Sequence, residues 1–72
     1  MNLKYTIGDL IDDDDAGLGY ITKLTLLERL EPYSILIHIK WFAHSVDQIY
    51  RERDVDRWIT NRVATHHPVG KQ

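Results

Sequence analysis

The stretch Tyr33–Phe42, YSILIHIKWF, decides how the chain is read. Tyr33, Ile35, Ile37, Ile39 and Trp41 take every second position, interleaved with Ser34, Leu36, His38, Lys40 and Phe42. A period of two sends the odd set to one side of an extended strand, whereas a helix would scatter it around the circumference. The segment is predicted to be a long central strand with its odd face in the core. Leu36 and Phe42 keep the second face partly apolar, which suggests that something covers part of it or that a partner does.

Upstream, Tyr5–Ile11 (YTIGDLI) reads as a first strand that bends or bulges at Gly8-Asp9. Asp12, Asp13, Asp14 and Asp15 come next, and since unpaired carboxylates are prohibitive to bury, they are expected in an exposed loop. A calcium loop counted from Asp12 fails, because Ala16 stands at its fifth place and Lys23 where the bidentate glutamate is needed. Gly17-Leu18-Gly19 leads into a second strand expected over Gly19–Leu27, with Leu24, Leu26 and Leu27 blurring its alternation as a bulge would. Those glycines do not open a helix, which sets a phosphate cradle aside. Glu28–Pro32 is the connection into the central strand.

Downstream of Phe42, Ala43–Asp47 reads as a turn, and two readings of the next segment stay open. Gln48–Arg53 alternates as a fourth strand with Ile49 or Tyr50 inward. Ser45 and Gln48 also have capping-box spacing, and Ile49, Tyr50, Trp58, Ile59 and Val63 fit a helical stripe. The preferred reading is a strand through about Arg53, then a helical turn near residues 54–58 with Asp54 as N-cap. Trp58 and Ile59 would then close the core, and residues 64–72 would form a flexible tail after a domain spanning 3–63.

Composition narrows the functional classes. Seventy-two residues make one small core, marginal by itself, and the absence of cysteine excludes disulfides, thiolate nucleophiles and cysteine-built zinc sites. No apolar run approaches the roughly 20 residues of a membrane helix, so a soluble chain made in a cytoplasm is expected. Residues 1–36 carry three basic and seven acidic side chains, a net of −4, and residues 37–72 carry six and four, a net of +2. Such poles suit head-to-tail association or a charged seam better than one basic face for nucleic acid.

The order GDLI, acidic loop, GLGYITKL, YSILIHIKWF, QIYRERDVDRWI resembles the small SH3-like barrels of the Tudor and KOW kind, and especially short proteins of tailed phages. Gly8-Asp9-Leu10-Ile11, Gly17, Gly19, Ile21, Trp41-Phe42, Tyr50, Glu52, Asp54 and Val55 stand at matching places over residues 5–60. The connection over Glu28–Pro32 is longer than in that pattern, and Trp58-Ile59 stands where its fifth strand is plainer. The resemblance implies a mainly β, five-stranded small barrel with one short helical turn, and function only as a class.

For that class, catalysis finds no support. Ser34 and His38 share a strand face but sit ~13 Å apart at ~3.3 Å per residue, too far to hydrogen-bond. His66-His67 in the expected tail makes at best a weak metal site, and no cofactor or metal is expected. Nucleic acid is the weaker partner class: Lys40, Arg51, Arg53, Arg57 and Arg62 offer charge beside Phe42 or Tyr50, but the aspartates repel phosphate. The expected role is a non-catalytic protein-interaction or structural module, an accessory virion-associated phage protein docking on a larger protein. The alternative is a phage-encoded inhibitor or adaptor of a host protein, placing the chain in a virion or a host cytoplasm. Candidate partner contacts are Asp12, Asp13, Asp14, Asp15, Tyr20, Phe42, Tyr50, Arg51 and Arg53, with self-association into a homo-oligomer also compatible with the charge poles.

Overall fold

The computed structural model describes residues 4–27, 34–44 and 47–69. Within them five antiparallel strands form one sheet: β1 (Leu10–Asp13), β2 (Gly17–Leu27), β3 (Ser34–Trp41), β4 (Asp47–Arg51) and β5 (Ala64–His67). The spatial order is β4-β3-β2-β1-β5, and a single helix, α1 (Glu52–Thr60), joins the two edge strands. The expectations placed on Glu28–Pro32, on Tyr33 and on Ser45 lie outside the described residues.

The central strand faces as its alternation requires. Ile37, Ile39 and Trp41 are buried and Ile35 packs beside them, while Lys40 and Phe42 are exposed. On β2 the inward set changes parity: Gly19 and Ile21 lie across from Trp41 and Ile39, but Leu24 and Leu26 lie across from Ile37 and Ile35. A bulge between Ile21 and Lys23 makes the switch, and the Thr22 hydroxyl donates to the His38 carbonyl at 3.3 Å. An extra residue in one strand reverses which positions face the core. The blurred leucines of β2 are the sequence trace of that reversal.

Gly19 is fixed by contact. A Cβ there would sit 2.6 Å from Trp41 Cε3 and 2.9 Å from the Lys40 carbonyl oxygen, so the indole covers β2 only where β2 lacks a side chain.

The first strand is shorter than expected and later. Gly8 has φ +98°, a left-handed conformation; it and Asp9 still bond to Ile21 of β2, at 2.8 and 2.9 Å, but the regular ladder of β1 begins only at Leu10. Asp12 and Asp13 consequently belong to β1, and only Asp14 and Asp15 lie in the turn to β2. The turn is built by Asp13, whose Oδ2 accepts from the amides of Asp15 at 3.0 Å and Ala16 at 2.9 Å, and it closes at Gly17 with φ +87°.

The fourth strand stops at Arg51, and the helix is longer than a turn. Val55, Trp58 and Ile59 stand at helical spacing, with Val55 fully buried and the other two packed on the core. Asp54 is inside the helix and not its N-cap; that place falls to Arg51, which makes no side-chain cap bond. Glu52 and Asp54 in the first turn and Arg57 in the last complement the helix dipole. The amides of Arg62 and Val63 donate to the carbonyls of Ile59 and Trp58 at 3.1 and 2.9 Å, with Arg62 at φ +64°, which is a Schellman closure. Trp58 and Ile59, at the place where the barrel pattern has a fifth strand, belong to this helix.

Residues 64–67, expected in a tail, form that fifth strand. β5 pairs with β1 so that Ile11 faces His66 and Asp13 faces Ala64, and Ala64 is buried. The sheet therefore extends past Val63. Short polar strands such as ATHH carry no apolar alternation of their own, which is why composition points to a tail.

Candidate functional site

A cleft of about 520 Å³ opens between the β1–β2 turn, β3, β4 and the end of α1. Three aromatic residues line it: Tyr50 and Trp58, which are partly exposed, and Trp41, which is only 2% exposed. Tyr50 is brought there by its inward position opposite Ile37, which leaves Ile49 outside. The Trp41 indole N–H donates to the Tyr50 hydroxyl at 3.1 Å, and that hydroxyl donates to Gln48 Oε1. Tyr50 meets Trp58 edge-on, with centroids 4.7 Å apart at 79°, and Trp41 similarly at 6.3 Å and 74°.

Asp13, Asp14 and Asp15 rim the same cleft, with Ala16 and Val63 beside them. The Asp14 amide donates to the Val63 carbonyl at 2.9 Å, so the acidic turn is tied to the helix closure. Asp13 commits one oxygen to its own turn, while Asp14 and Asp15 are exposed and enter neither ion pair among the described residues. The result is a ring-lined hollow with negative charge at its mouth.

Of the residues singled out from sequence, Asp13, Asp14, Asp15 and Tyr50 meet in this cleft. Asp12 is exposed on β1. Tyr20 and Phe42 come together elsewhere, stacked at 5.4 Å and 29°, with Tyr20 on the face of β2 opposite Gly19 and Ile21. Arg51 ends β4 and Arg53 is exposed on α1, and neither lines the cleft. The sequence assigns Trp41 and Trp58 to the core alone, because each is a large apolar residue at a core-facing position. Their second role depends on the gap left between β4 and the β1–β2 turn.

A second polar centre has no forewarning in the sequence. Asp9 is 1% exposed, yet its carboxylate accepts from the Thr6 amide at 2.9 Å, the Val69 amide at 2.8 Å and His66 Nε2 at 2.7 Å. Burial pushes this carboxyl up, but the bonds from Val69, His66 and Thr6 outweigh burial and hold its pKa below the usual aspartate range. The His66 ring lies 4.8 Å from that of Tyr5, whose hydroxyl donates to Asp56 Oδ1 at 2.5 Å. Burial, then the bond to Asp56, pushes the Tyr5 hydroxyl far up.

The His66-His67 pair is thus split. His66 points inward to Asp9, the exposed His67 takes the other face of β5, and no group of three metal-binding side chains occurs among the described residues. His38 bonds to Thr25 Oγ1 at 3.1 Å. No helix among the described residues is long and apolar enough to cross a membrane.

Compared with protein families, curated proteins and solved structures, the chain matches none of them.

Proposed function

We propose that the protein is a non-catalytic docking module that grips a cationic side chain, lysine or arginine, of a partner protein in the cleft of Trp41, Tyr50 and Trp58. The carrying observation is that three aromatic rings and Asp13, Asp14 and Asp15 share one hollow of about 520 Å³. Aromatic faces attract cations, a guanidinium stacks on them, and carboxylates at the mouth add attraction that water only partly screens. The volume lies inside the range of clefts that take a small ligand, and so leaves room for a long side chain. Phosphate is repelled by the same rim, which argues against nucleic acid at this place.

The finer fold reading belongs to the same proposal. The strand order, with α1 joining β4 to β5 along the chain, supports an SH3-like small barrel as the finer reading, although β4 and β5 do not pair and the sheet stays open among the described residues. The virion setting rests on the sequence resemblance alone, and mass spectrometry of purified particles tests it.

Titration of the isotope-labelled chain with an arginine- or lysine-bearing extended peptide tests the site. Resonances of Trp41, Tyr50 and Trp58 and of the Asp13–Ala16 turn are expected to move, and the affinity to fall with added salt. Asp14→Asn with Asp15→Asn, both exposed, should weaken binding while leaving the spectrum folded. Preference for an acidic peptide or an oligonucleotide would refute the reading.

A further inference from the structure

The outer edge of β4 carries a pattern that the cleft does not use. β4 is an edge strand with one neighbour in the sheet, β3, and no other backbone pairing reaches it among the described residues. An unpaired edge offers a row of amide and carbonyl groups to any extended segment, and proteins commonly blunt such edges with charge or proline. β5, the other edge, is four residues long and followed by Pro68. β4 has no proline and carries its charges only at its two ends: its sequence is DQIYR, with exposed Ile49 between Asp47 and Arg51.

We propose that β4 pairs antiparallel with β4 of a second copy of this chain, about a twofold axis through Ile49. The register follows from the sequence. With Ile49 opposite its own counterpart, Asp47 faces Arg51 of the second copy, Arg51 faces Asp47, and Gln48 faces Tyr50. Asp47, Ile49 and Arg51 share one face of the strand, so two opposite-charge pairs flank one apolar pair. Shifting the register by two residues would leave Asp47 or Arg51 without its counter-charge. The strand is complementary to itself in one alignment.

The neighbours on β3 extend the same rows. Lys40 lies across from Asp47, His38 from Ile49 and Leu36 from Arg51. In the pair, Asp47 sits between Lys40 of its own chain and Arg51 of the second copy, while Ile49, 57% exposed in one chain, is covered. β5 offers no such match, since antiparallel pairing of ATHH with itself sets no charge against its opposite. The closed arrangement is isologous and stops at two chains. Five-residue edges bury less than the ~1,200 Å² of standard interfaces, so the dimer is concentration-dependent.

Sedimentation equilibrium of the full chain, from low micromolar to millimolar, is expected to show a reversible monomer–dimer equilibrium. Ile49→Lys sets two like charges at the axis and should leave a monomer with unchanged melting, because the position is solvent-facing in the single chain. Asp47→Arg should also abolish the dimer, and the double exchange Asp47→Arg with Arg51→Asp should restore it, since each pair is then inverted and not lost. A wild-type chain that stays monomeric throughout, as expected if the edge takes another protein's strand, overturns the proposal. So does a dimer that survives Ile49→Lys, or a folded double exchange that fails to recover.

Discussion

Replacing Asp9 with Ala removes the acceptor of three hydrogen bonds at once and leaves His66 and the amides of Thr6 and Val69 without it. Breaking a buried, charge-assisted centre of this kind costs about 3–5 kcal/mol, a large share of what so small a domain has, and urea unfolding of Asp9→Ala should read it directly. The centre also fixes a pH dependence. The folded pKa of Asp9 lies below its unfolded value, so its contribution is complete above the unfolded value, near 3.9, and is lost as pH falls through the folded one. Asp9→Asn should therefore differ most from wild type at neutral pH, and the gap should narrow only in acid; a gap unchanged down to acid unfolding would contradict this. At Gly19 two effects compete. Gly→Ala gains about 0.4–1 kcal/mol through the unfolded chain, but overpacking costs about 1–3 kcal/mol, and a Cβ 2.6 Å from Trp41 makes the second win. Gly19→Ala should melt lower and shift the indole fluorescence.

Among the elements, α1 reports how much of its stability comes from its ends. Arg62 occupies the left-handed position of the Schellman closure, where a non-glycine residue costs about 1–2 kcal/mol. Arg62→Gly should raise the melting temperature, by ~4–8 °C for each kcal/mol gained in a domain this size, and calorimetry measures it. A lower melting temperature would mean that the arginine side chain contributes more than its backbone costs. The β1–β2 turn separates two roles of neighbouring aspartates. Asp13→Ala removes both turn bonds and should cost about 1–2 kcal/mol, whereas Asp14→Asn and Asp15→Asn should leave stability nearly unchanged and act on binding alone. The same element scale explains what is legible in the sequence: β3 alternates without interruption, and Val55, Trp58 and Ile59 hold helical spacing. β2 is harder, because its bulge splices two opposite alternations into one strand.

At the scale of the molecule, the segment after Val63 decides whether the sheet forms as one unit. β5 completes the pairing of β1, Ala64 enters the core, and His66 and Val69 hold Asp9. A chain ending at Val63 should lose cooperative unfolding by circular dichroism; a truncated chain that melts sharply near the wild-type temperature would return residues 64–69 to the status of a tail. The N-terminal segment is held in the same way, from Lys4 and Tyr5 to Asp56 on α1 and from Asp9 to β5. These bonds join residues more than fifty positions apart, which is how a chain without cysteine fastens both ends to one core.

The sequence by itself determined the inward odd face of β3, the exposure of Asp14 and Asp15, and the helical stripe that competed with a longer β4. Those traits come from side-chain period and the cost of desolvating charge, both of which act within a few residues. Only the tertiary structure decided that Trp41, Tyr50 and Trp58 would meet Asp13, Asp14 and Asp15 around one hollow, or that Asp9 would be buried against His66. Alternation tells a strand which way its side chains point, but not which distant strand completes the sheet or where a helix leaves a gap. That choice belongs to register and closure, which no local pattern carries.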